Sequence, residues 1–280
     1  MIASRSSRIT RPLHYLALIG YLIFLAFPLV FLAMFSLKSQ REVASPDPSF
    51  LPRGFEWSNF GAAIEKTRLF RSARNSLVVA AATTGIVILI SLPAAYALAR
   101  FRTRLRGLAT GWILLSQIFP YILIVIPLFL VLRDLKMVDT LQGLILVYTV
   151  WALPFSLWML QGYVAAIPRE LEDAASIDGA SRVRVLRSIV LPLLAPGLVA
   201  TSLFAFIGSW NEFFFALVLI QDEAKRTLPL TLSLFIGSEG RTNLGQLAAA
   251  SLLSTVPSLA FFVLIQRRLT SGLLSGAVKG

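Results

Sequence analysis

Six long apolar stretches limit this chain to a helical fold embedded in a membrane. They cover residues 13–36, 76–99, 107–132, 140–164, 193–221 and 243–266. A helix needs roughly 20 mainly apolar residues to cross the hydrocarbon core of a bilayer, and each stretch reaches that length. Their apolar residues surround the helix instead of forming one stripe, which is typical of membrane spans. The sequence therefore predicts an all-α membrane protein with six transmembrane helices, forming a single domain over residues 1–280.

The composition excludes most other classes of protein. Only 14% of the residues are charged, against about a quarter in an average soluble protein, so a charged shell around a soluble core is missing. The chain has no cysteine and a single histidine, His14, which disfavours thiolate nucleophiles, disulfides and metal sites built on these residues. No phosphate-binding loop of the form G-x-x-x-x-G-K-[ST] occurs. We therefore expect no metal site, no catalytic residue and no ATP hydrolysis in this chain.

The basic residues predict the orientation of the spans. The formal net charge is +12, and in so apolar a chain this surplus indicates cytoplasmic loops more than nucleic-acid binding. Arginines are dense at residues 5–11 and 100–106. Placing both termini in the cytoplasm puts these groups on the inner side, as the positive-inside rule requires. Arg71 and Arg74 oppose this assignment, because they flank a span on the proposed outer side.

The connection at residues 165–192 is the most patterned loop of the chain. Pro168 suits the first position of a helix, and Asp178-Gly179 predicts a tight turn that ends it. A second short helix follows, before Pro192 begins the next span. The pattern predicts a compact helix-turn-helix whose small residues let the backbone of a partner approach closely. A solvated amphipathic connector is the alternative that spacing alone leaves open.

The same loop resembles the EAA motif of ABC importer permeases. That motif reads Glu-Ala-Ala, three residues, Gly, nine residues, Ile-x-Leu-Pro. Here Asp173 replaces the glutamate, Gly179 follows Ala175 after three residues, and residues 189–192 supply the ending. The aspartate keeps the charge on a shorter side chain. The resemblance implies that the following residues couple the chain to an ATPase: Glu172, Asp173, Ala174, Ala175, Asp178, Gly179, Ala180, Arg182, Ile189, Leu191 and Pro192.

Three further segments extend the resemblance to the maltose-type carbohydrate permeases. Residues 74–77 (Arg-Asn-Ser-Leu) and 210–213 (Trp-Asn-Glu-Phe) are similar to that family, and residues 272–280 resemble the end of its second permease. The resemblance implies the type I ABC importer architecture in the cytoplasmic (inner) membrane. It also implies a sister permease, two ATPase subunits that bind ATP and Mg²⁺, and an extracytoplasmic sugar-binding protein. The loop around Gly179 would then dock in a cleft of the ATPase.

Glu212 is the only acidic residue within a predicted span. Its charge at the bilayer centre would cost roughly 2.5–3.5 kcal/mol, so the carboxylate should face a cavity or a partner. With Trp210 and Asn211 beside it, the group suits a polyol, whose hydroxyls pair with polar groups while a sugar face stacks on an aromatic ring. A buried hydrogen bond between two spans is the other interpretation. The candidates for a substrate path are Trp210, Asn211, Glu212, Gln117, Tyr121, Tyr148 and Ser254.

These patterns favour a permease subunit of an ATP-driven carbohydrate importer, with two other classes open. A secondary transporter of a small polar solute, driven by an ion gradient, would need intramembrane acids as ion sites, and Glu212 is one. A membrane-bound enzyme would need a catalytic set of residues, and the sequence shows none. Dependence of transport on an ATPase separates the first class from the second.

Overall fold

The computed structural model describes residues 7–47, 49–101, 104–235 and 243–277, and within these ranges the regular structure is entirely helical. The predicted all-α class is therefore confirmed. The helices are α1 (Ser7–Ser36), α2 (Gln40–Val43), α3 (Ser58–Thr67), α4 (Leu69–Arg100), α5 (Arg104–Ile118), α6 (Val125–Asp134), α7 (Leu141–Ala166), α8 (Glu170–Ile177), α9 (Arg182–Val185), α10 (Leu191–Asn211), α11 (Phe214–Leu219), α12 (Leu228–Ser233) and α13 (Leu244–Ala277). The arginine group at 100–106 and the segment 272–280 fall partly outside the described residues.

Five helical segments within the described ranges are long and apolar enough to cross a membrane. They are Pro12–Ser36, Leu69–Arg100, Leu141–Ala166, Arg182–Asn211 and Leu244–Leu264. Each overlaps one of the six apolar stretches of the sequence. The long apolar helices therefore lie where the sequence has its long uncharged runs.

The third apolar stretch forms a bent pair of helices, whereas the sequence predicts one continuous span over 107–132. Arg106–Ile118 and Tyr121–Asp134 meet at an angle of 95°. The break falls at Pro120, whose backbone is extended with φ −65° and ψ 114°. Proline has no N–H to continue a helix, and it disfavours helical geometry in the residue before it. The described residues thus hold five continuous spans, or six if the bent pair crosses as one.

The fifth apolar stretch also differs from its expected bounds of 193–221. The helix runs without a break over Arg182–Asn211, so Pro192 lies inside it and does not begin the span. A π-helical turn at Leu186–Val190 lies just before Leu191 and Pro192. Such a local adjustment is one way in which a membrane helix tolerates the hydrogen bond that proline cannot make. The helix ends at Asn211, and the next residue, Glu212, has an extended backbone. The second helix of the predicted helix-turn-helix is therefore the first part of a membrane helix.

The chain divides into two compact units, which are described separately. The first comprises Met1–Leu69 and Leu232–Thr255, and the second comprises Phe70–Thr231 and Val256–Gly280. In the first unit, the Asn59 side chain of α3 donates hydrogen bonds to the carbonyls of Ser36 and Lys38, each at 2.9 Å. A Cβ at Gly245 would lie 2.8 Å from Asn59 Nδ2. Glycine at this position thus lets α13 begin close to α3.

The core of the second unit includes two large apolar clusters. One joins α6, α7 and α11, and its buried members include Leu132, Leu144, Tyr148, Phe215 and Leu219. The other joins α4, α7, α9 and α10, and its buried members include Ala95, Ala99, Val164, Val185 and Leu194. The second cluster also includes Ile167, at the start of the patterned loop, so that loop rests directly on the core.

Candidate functional site

The loop at residues 165–192, which we call the hairpin, bends through a Schellman motif at the end of α8. The N–H of Ala180 donates to the carbonyl of Ala175 at 2.9 Å, and the N–H of Gly179 donates to the carbonyl of Ser176 at 3.1 Å. Gly179 has a φ of +79°, in the left-handed region that glycine adopts without the penalty of a Cβ. The turn is therefore set by backbone hydrogen bonds and by the absence of a side chain at this residue.

The hairpin exposes three large apolar side chains. Ile177 is 86% exposed, Val183 is 59% exposed and Leu171 is 44% exposed. Ala175 and Ala180 lie on the opposite side and pack against the core cluster of α4, α7 and α10. Apolar side chains that a loop turns away from its own core are typical of a surface that meets a partner. The coupling residues that are also exposed are Asp173, Ala174, Asp178, Gly179, Arg182 and Pro192, whereas Ile189 and Leu191 are half-buried.

Glu172 differs from its neighbours in α8, because its side chain is buried. Its Oε1 accepts a hydrogen bond from Arg100 Nε at 2.6 Å, and its Oε2 accepts one from the Tyr96 hydroxyl at 2.7 Å. Arg100 Nη2 also donates to the carbonyl of Ile167 at 2.9 Å. The Arg100 and Glu172 side chains are 9% and 11% exposed. This Tyr96–Glu172–Arg100 cluster joins the last turn of α4, the end of α7 and α8.

Two further contacts join the end of α4 to both arms of the hairpin. Arg169 Nη2 donates to the carbonyls of Ala99 and Arg100, at 3.3 and 3.2 Å. These carbonyls lie at a helix C-terminus, where they lack helical partners and favour a cation. The Arg182 guanidinium lies 5.6 Å from the centroid of the Phe101 ring, in a cation–π contact. The end of α4 therefore holds the arm before the bend and the arm after it.

Glu212 lies at the break between α10 and α11. Its carboxylate accepts hydrogen bonds from the N–H groups of Phe215 and Ala216, at 2.9 and 3.3 Å. A negative charge is favourable at this helix N-terminus, which has unpaired N–H donors. The buried Tyr148 hydroxyl is in electrostatic contact with Glu212. The hydrogen bonds of the carboxylate thus go to the following helix.

Trp210 and Asn211 face different surroundings, although they are adjacent in sequence. Trp210 is buried and stacks on Phe206, with ring centroids 6.0 Å apart and an interplanar angle of 13°. Asn211 is exposed, and its Nδ2 donates to the carbonyl of Ile207 at 3.0 Å. In this structure Asn211 is accessible to a solute, whereas Trp210 contributes to the core.

The remaining candidates for a substrate path are more dispersed. Tyr121 is half exposed, and its ring lies edge-on to Phe214 of α11 with centroids 5.8 Å apart. Gln117 is exposed near the end of α5. Ser254 belongs to the first compact unit and donates to the carbonyl of Ser251 at 2.6 Å. The structure thus brings Tyr121, Tyr148 and Glu212 to the region around α11.

A second charged cluster fixes the end of α11. Asp139 accepts hydrogen bonds from Lys225 Nζ at 2.9 Å and from the N–H groups of Gln221 and Asp222 at 3.0 Å. The N–H of Asp139 donates to the carbonyl of Leu219 at 2.9 Å. Burial acts to raise the pKa of Asp139, but the hydrogen bonds from Lys225 and the two amides outweigh it and lower that pKa. The hydrogen bond to Asp139 in turn raises the pKa of Lys225.

Sequence patterns do not reveal the residues that hold the hairpin and α11 in place. They are Tyr96, Arg100, Phe101, Asp139, Arg169 and Lys225. Arg100 stands out in the sequence only as one of several arginines that indicate orientation. A usable signal was present, because Arg100 and Glu172 have opposite charges and fall on the same predicted side of the membrane.

Comparisons with known proteins identify the family of the chain. Residues 87–275 match the family described as "Binding-protein-dependent transport system inner membrane component". The chain is 42% identical to the trehalose/maltose transport system permease protein MalG of Thermococcus litoralis, over 74% of each chain. It is 38% identical to the diacetylchitobiose uptake system permease protein DasC of Streptomyces coelicolor, over 91% of this chain and 92% of that one. A bacterial ABC transporter involved in the import of the acidic polysaccharide alginate has a similar structure, with a TM-score of 0.75 and 25% identity over 95% and 99% of the two chains.

Proposed function

Because the chain belongs to the family of binding-protein-dependent transport system inner membrane components, we propose that it is a permease subunit of an ATP-driven carbohydrate importer. Permeases of this family are multi-pass proteins of the cytoplasmic membrane and are not themselves enzymes. The proposed assembly contains a sister permease, two ATPase subunits that bind ATP and Mg²⁺, and an extracytoplasmic substrate-binding protein. The match over residues 87–275 carries this proposal, since it includes the whole hairpin.

The relatives support a carbohydrate as the substrate. The names of two of them state trehalose or maltose and diacetylchitobiose as their substrates. The exposed polar groups of Gln117, Tyr121 and Asn211 are neutral, and neutral amides and hydroxyls both donate to and accept from sugar hydroxyls. We therefore assign this chain an oligosaccharide, a disaccharide or a related polyol.

The hairpin supports coupling to an ATPase. Its exposed residues include the large apolar side chains of Ile177 and Val183, on either side of the bend at Gly179. In a cleft of an ATPase these side chains would leave water, which would stabilise the complex. ATP binding would then move the hairpin, provided that the two states of the ATPase make different contacts with it.

Transport by the reconstituted assembly tests the proposed function. The assembly would be purified with its binding protein, placed in liposomes and supplied with radiolabelled trehalose, maltose or diacetylchitobiose. We expect uptake of at least one of these sugars to require both the binding protein and hydrolysable ATP. A non-hydrolysable ATP analogue should not support it, and collapsing proton and sodium gradients should leave it intact. Uptake that needs an ion gradient and no nucleotide would show a secondary transporter instead.

Substitutions near α11 test the proposed substrate path. We propose that Asn211 and Tyr121 contact the sugar and that Glu212 shapes this region by capping α11. Asn211→Ala should raise the KM for uptake, and Glu212→Ala should lower the rate of uptake. Asp134→Asn removes an exposed carboxylate of α6 and serves as the control. Unaltered uptake kinetics in Glu212→Ala would remove Glu212 from the path.

A further inference from the structure

We propose that Glu172, Arg100 and Tyr96 form the joint through which movement of the hairpin reaches α4. This inference rests on the proposed function, because it assumes that an ATPase moves the hairpin. It assigns a positioning role to three side chains. Of these, only Glu172 is among the residues to which the resemblance assigns coupling, and it is placed there as part of the docking surface.

The helix α4 follows the hairpin through side-chain contacts, because neither end of α4 is joined to the hairpin in the chain. The hairpin is continuous with α7 on one side and with α10 on the other, so both helices follow its movement through the backbone. The helix α4 has no such connection, because α5 and α6 separate it from α7. Side-chain contacts at the end of α4 are therefore the direct route by which it can follow the hairpin.

The chemistry of the cluster suits a rigid joint. Both oxygens of the Glu172 carboxylate are used, one by Arg100 at 2.6 Å and one by Tyr96 at 2.7 Å. Arg100 uses a further N–H on the carbonyl of Ile167. Hydrogen bonds to charged groups are stronger than neutral ones, and a fully satisfied buried network holds its members in one arrangement. The cluster therefore resists displacement of α8 relative to α4.

Stability alone does not account for an ion pair at this place. A buried ion pair loses much of its Coulomb energy to desolvation, and apolar residues of similar volume often stabilise a fold equally well. The pair borders the apolar core at Ala99 and Ile167, and on its other side it lines a cavity shared with Arg169, Asp173 and Arg182. A specific, directional contact at this position favours a mechanical role over simple packing.

The two faces of α8 complete the route. Glu172 faces α4, whereas Leu171 and Ile177 are exposed on the same helix. Force applied to the exposed residues would pass through α8 to Glu172 and then to Arg100 and Tyr96. The contacts of Arg169 and Arg182 with the end of α4 would prevent the hairpin from rotating about this point.

The coupling ratio of the full assembly tests the inference. Tyr96→Phe, Glu172→Gln and the double variant would be reconstituted with the ATPase subunits and the binding protein. Sugar molecules imported per ATP hydrolysed would be measured beside ATPase co-purification and melting temperature. Loss of a hydrogen bond to a charged group shifts an equilibrium by about tenfold or more. We therefore expect about a tenfold fall in the ratio for either single variant, with the ATPase still bound and hydrolysing ATP.

Two controls make the result specific. Glu170→Gln removes an exposed carboxylate from the first turn of the same helix, and it should keep the wild-type ratio. The double variant should be no worse than Glu172→Gln alone, because residues that act as one unit are not additive.

Three outcomes would overturn the inference. The first is an unchanged ratio in both single variants, and the second is a fall in ATP hydrolysis and uptake at a constant ratio. The third is loss of ATPase co-purification in Tyr96→Phe, which would show that the cluster only shapes the docking surface. In each case the wild-type assembly would still import sugar with ATP, so the proposed function would stand. Absence of ATP-driven uptake in the wild type would instead refute the proposed function itself.

Discussion

Replacing Gly179 tests whether coupling depends on the backbone conformation of the hairpin. Gly179 has a φ of +79°, and no heavy atom lies within 4 Å of the position that a Cβ would take. Alanine at this residue therefore meets no steric obstacle within the chain, and its cost comes from the left-handed conformation. That cost is roughly 1–2 kcal/mol, which corresponds to a factor of about 5–30 in an equilibrium constant.

Asparagine and proline at the same residue extend the series. Asparagine enters the left-handed region more readily than alanine, although its side chain is larger. Proline is held near a φ of about −65° and has no N–H, so it also removes the hydrogen bond to the carbonyl of Ser176. The backbone conformation at this residue therefore predicts that coupling decreases in the order wild type, Gly179→Asn, Gly179→Ala and Gly179→Pro.

The assay is the affinity of the ATPase subunits for the permease in nanodiscs, with ATPase activity measured beside it. We expect Gly179→Ala to weaken this affinity by a factor of about 5–30, and Gly179→Asn to weaken it less. Gly179→Pro should insert into the membrane but lose coupled ATPase activity. Gly85→Ala is the matched control, because a Cβ there also meets open space within the chain and Gly85 has no positive φ. The reverse order for asparagine and alanine would refute the reasoning, since small size and not backbone conformation would then be the requirement.

Three further predictions concern the fold around these sites. Asn75→Ala removes the hydrogen bonds that Asn75 Nδ2 donates to the carbonyls of Ala224 and Arg226, at 2.9 and 3.0 Å. It should lower the free energy of unfolding by about 1–3 kcal/mol. An unchanged denaturation midpoint in detergent would contradict this. Gly197→Ala places a Cβ 2.5 Å from Tyr163 Cγ and should destabilise the protein by about 1–3 kcal/mol, with the melting temperature restored when Tyr163→Ala is added. The lowered pKa of Asp139 means that its contribution to stability is complete above the ordinary carboxyl pKa of about 3.9 and is lost as the pH falls through the lower folded value. Melting temperatures measured through that acid range should therefore fall less steeply in Asp139→Asn than in the wild type, and parallel curves would exclude this role.

Local patterns in the sequence predict the spans and the bend because both depend on neighbouring residues. An apolar run determines where a helix can cross the membrane, and Asp178-Gly179 determines where α8 ends. The break at Pro120 depends on an equally local signal, since proline lacks a donor. Its effect could not be predicted from the sequence, because many membrane helices contain proline without dividing in two.

Contacts between distant residues lie beyond such patterns. Glu172 meets Arg100 and Tyr96 only because α4 and the hairpin pack on one core cluster. The charge on Glu212 signalled that a partner was needed, but the partner is the backbone of the next helix. That contact exists because α10 ends just before Glu212, and no proline near this residue marks that end in the sequence.

The unbroken helix from Arg182 to Asn211 has a geometric consequence for the hairpin. Each residue of an α-helix turns the chain by about 100°. Adding or deleting one residue between Gly179 and Ile189 would therefore rotate the bend by nearly a third of a circle relative to the membrane. The number of residues in this segment thus sets the angle of the bend about the helix axis, independently of the chemical identity of those residues.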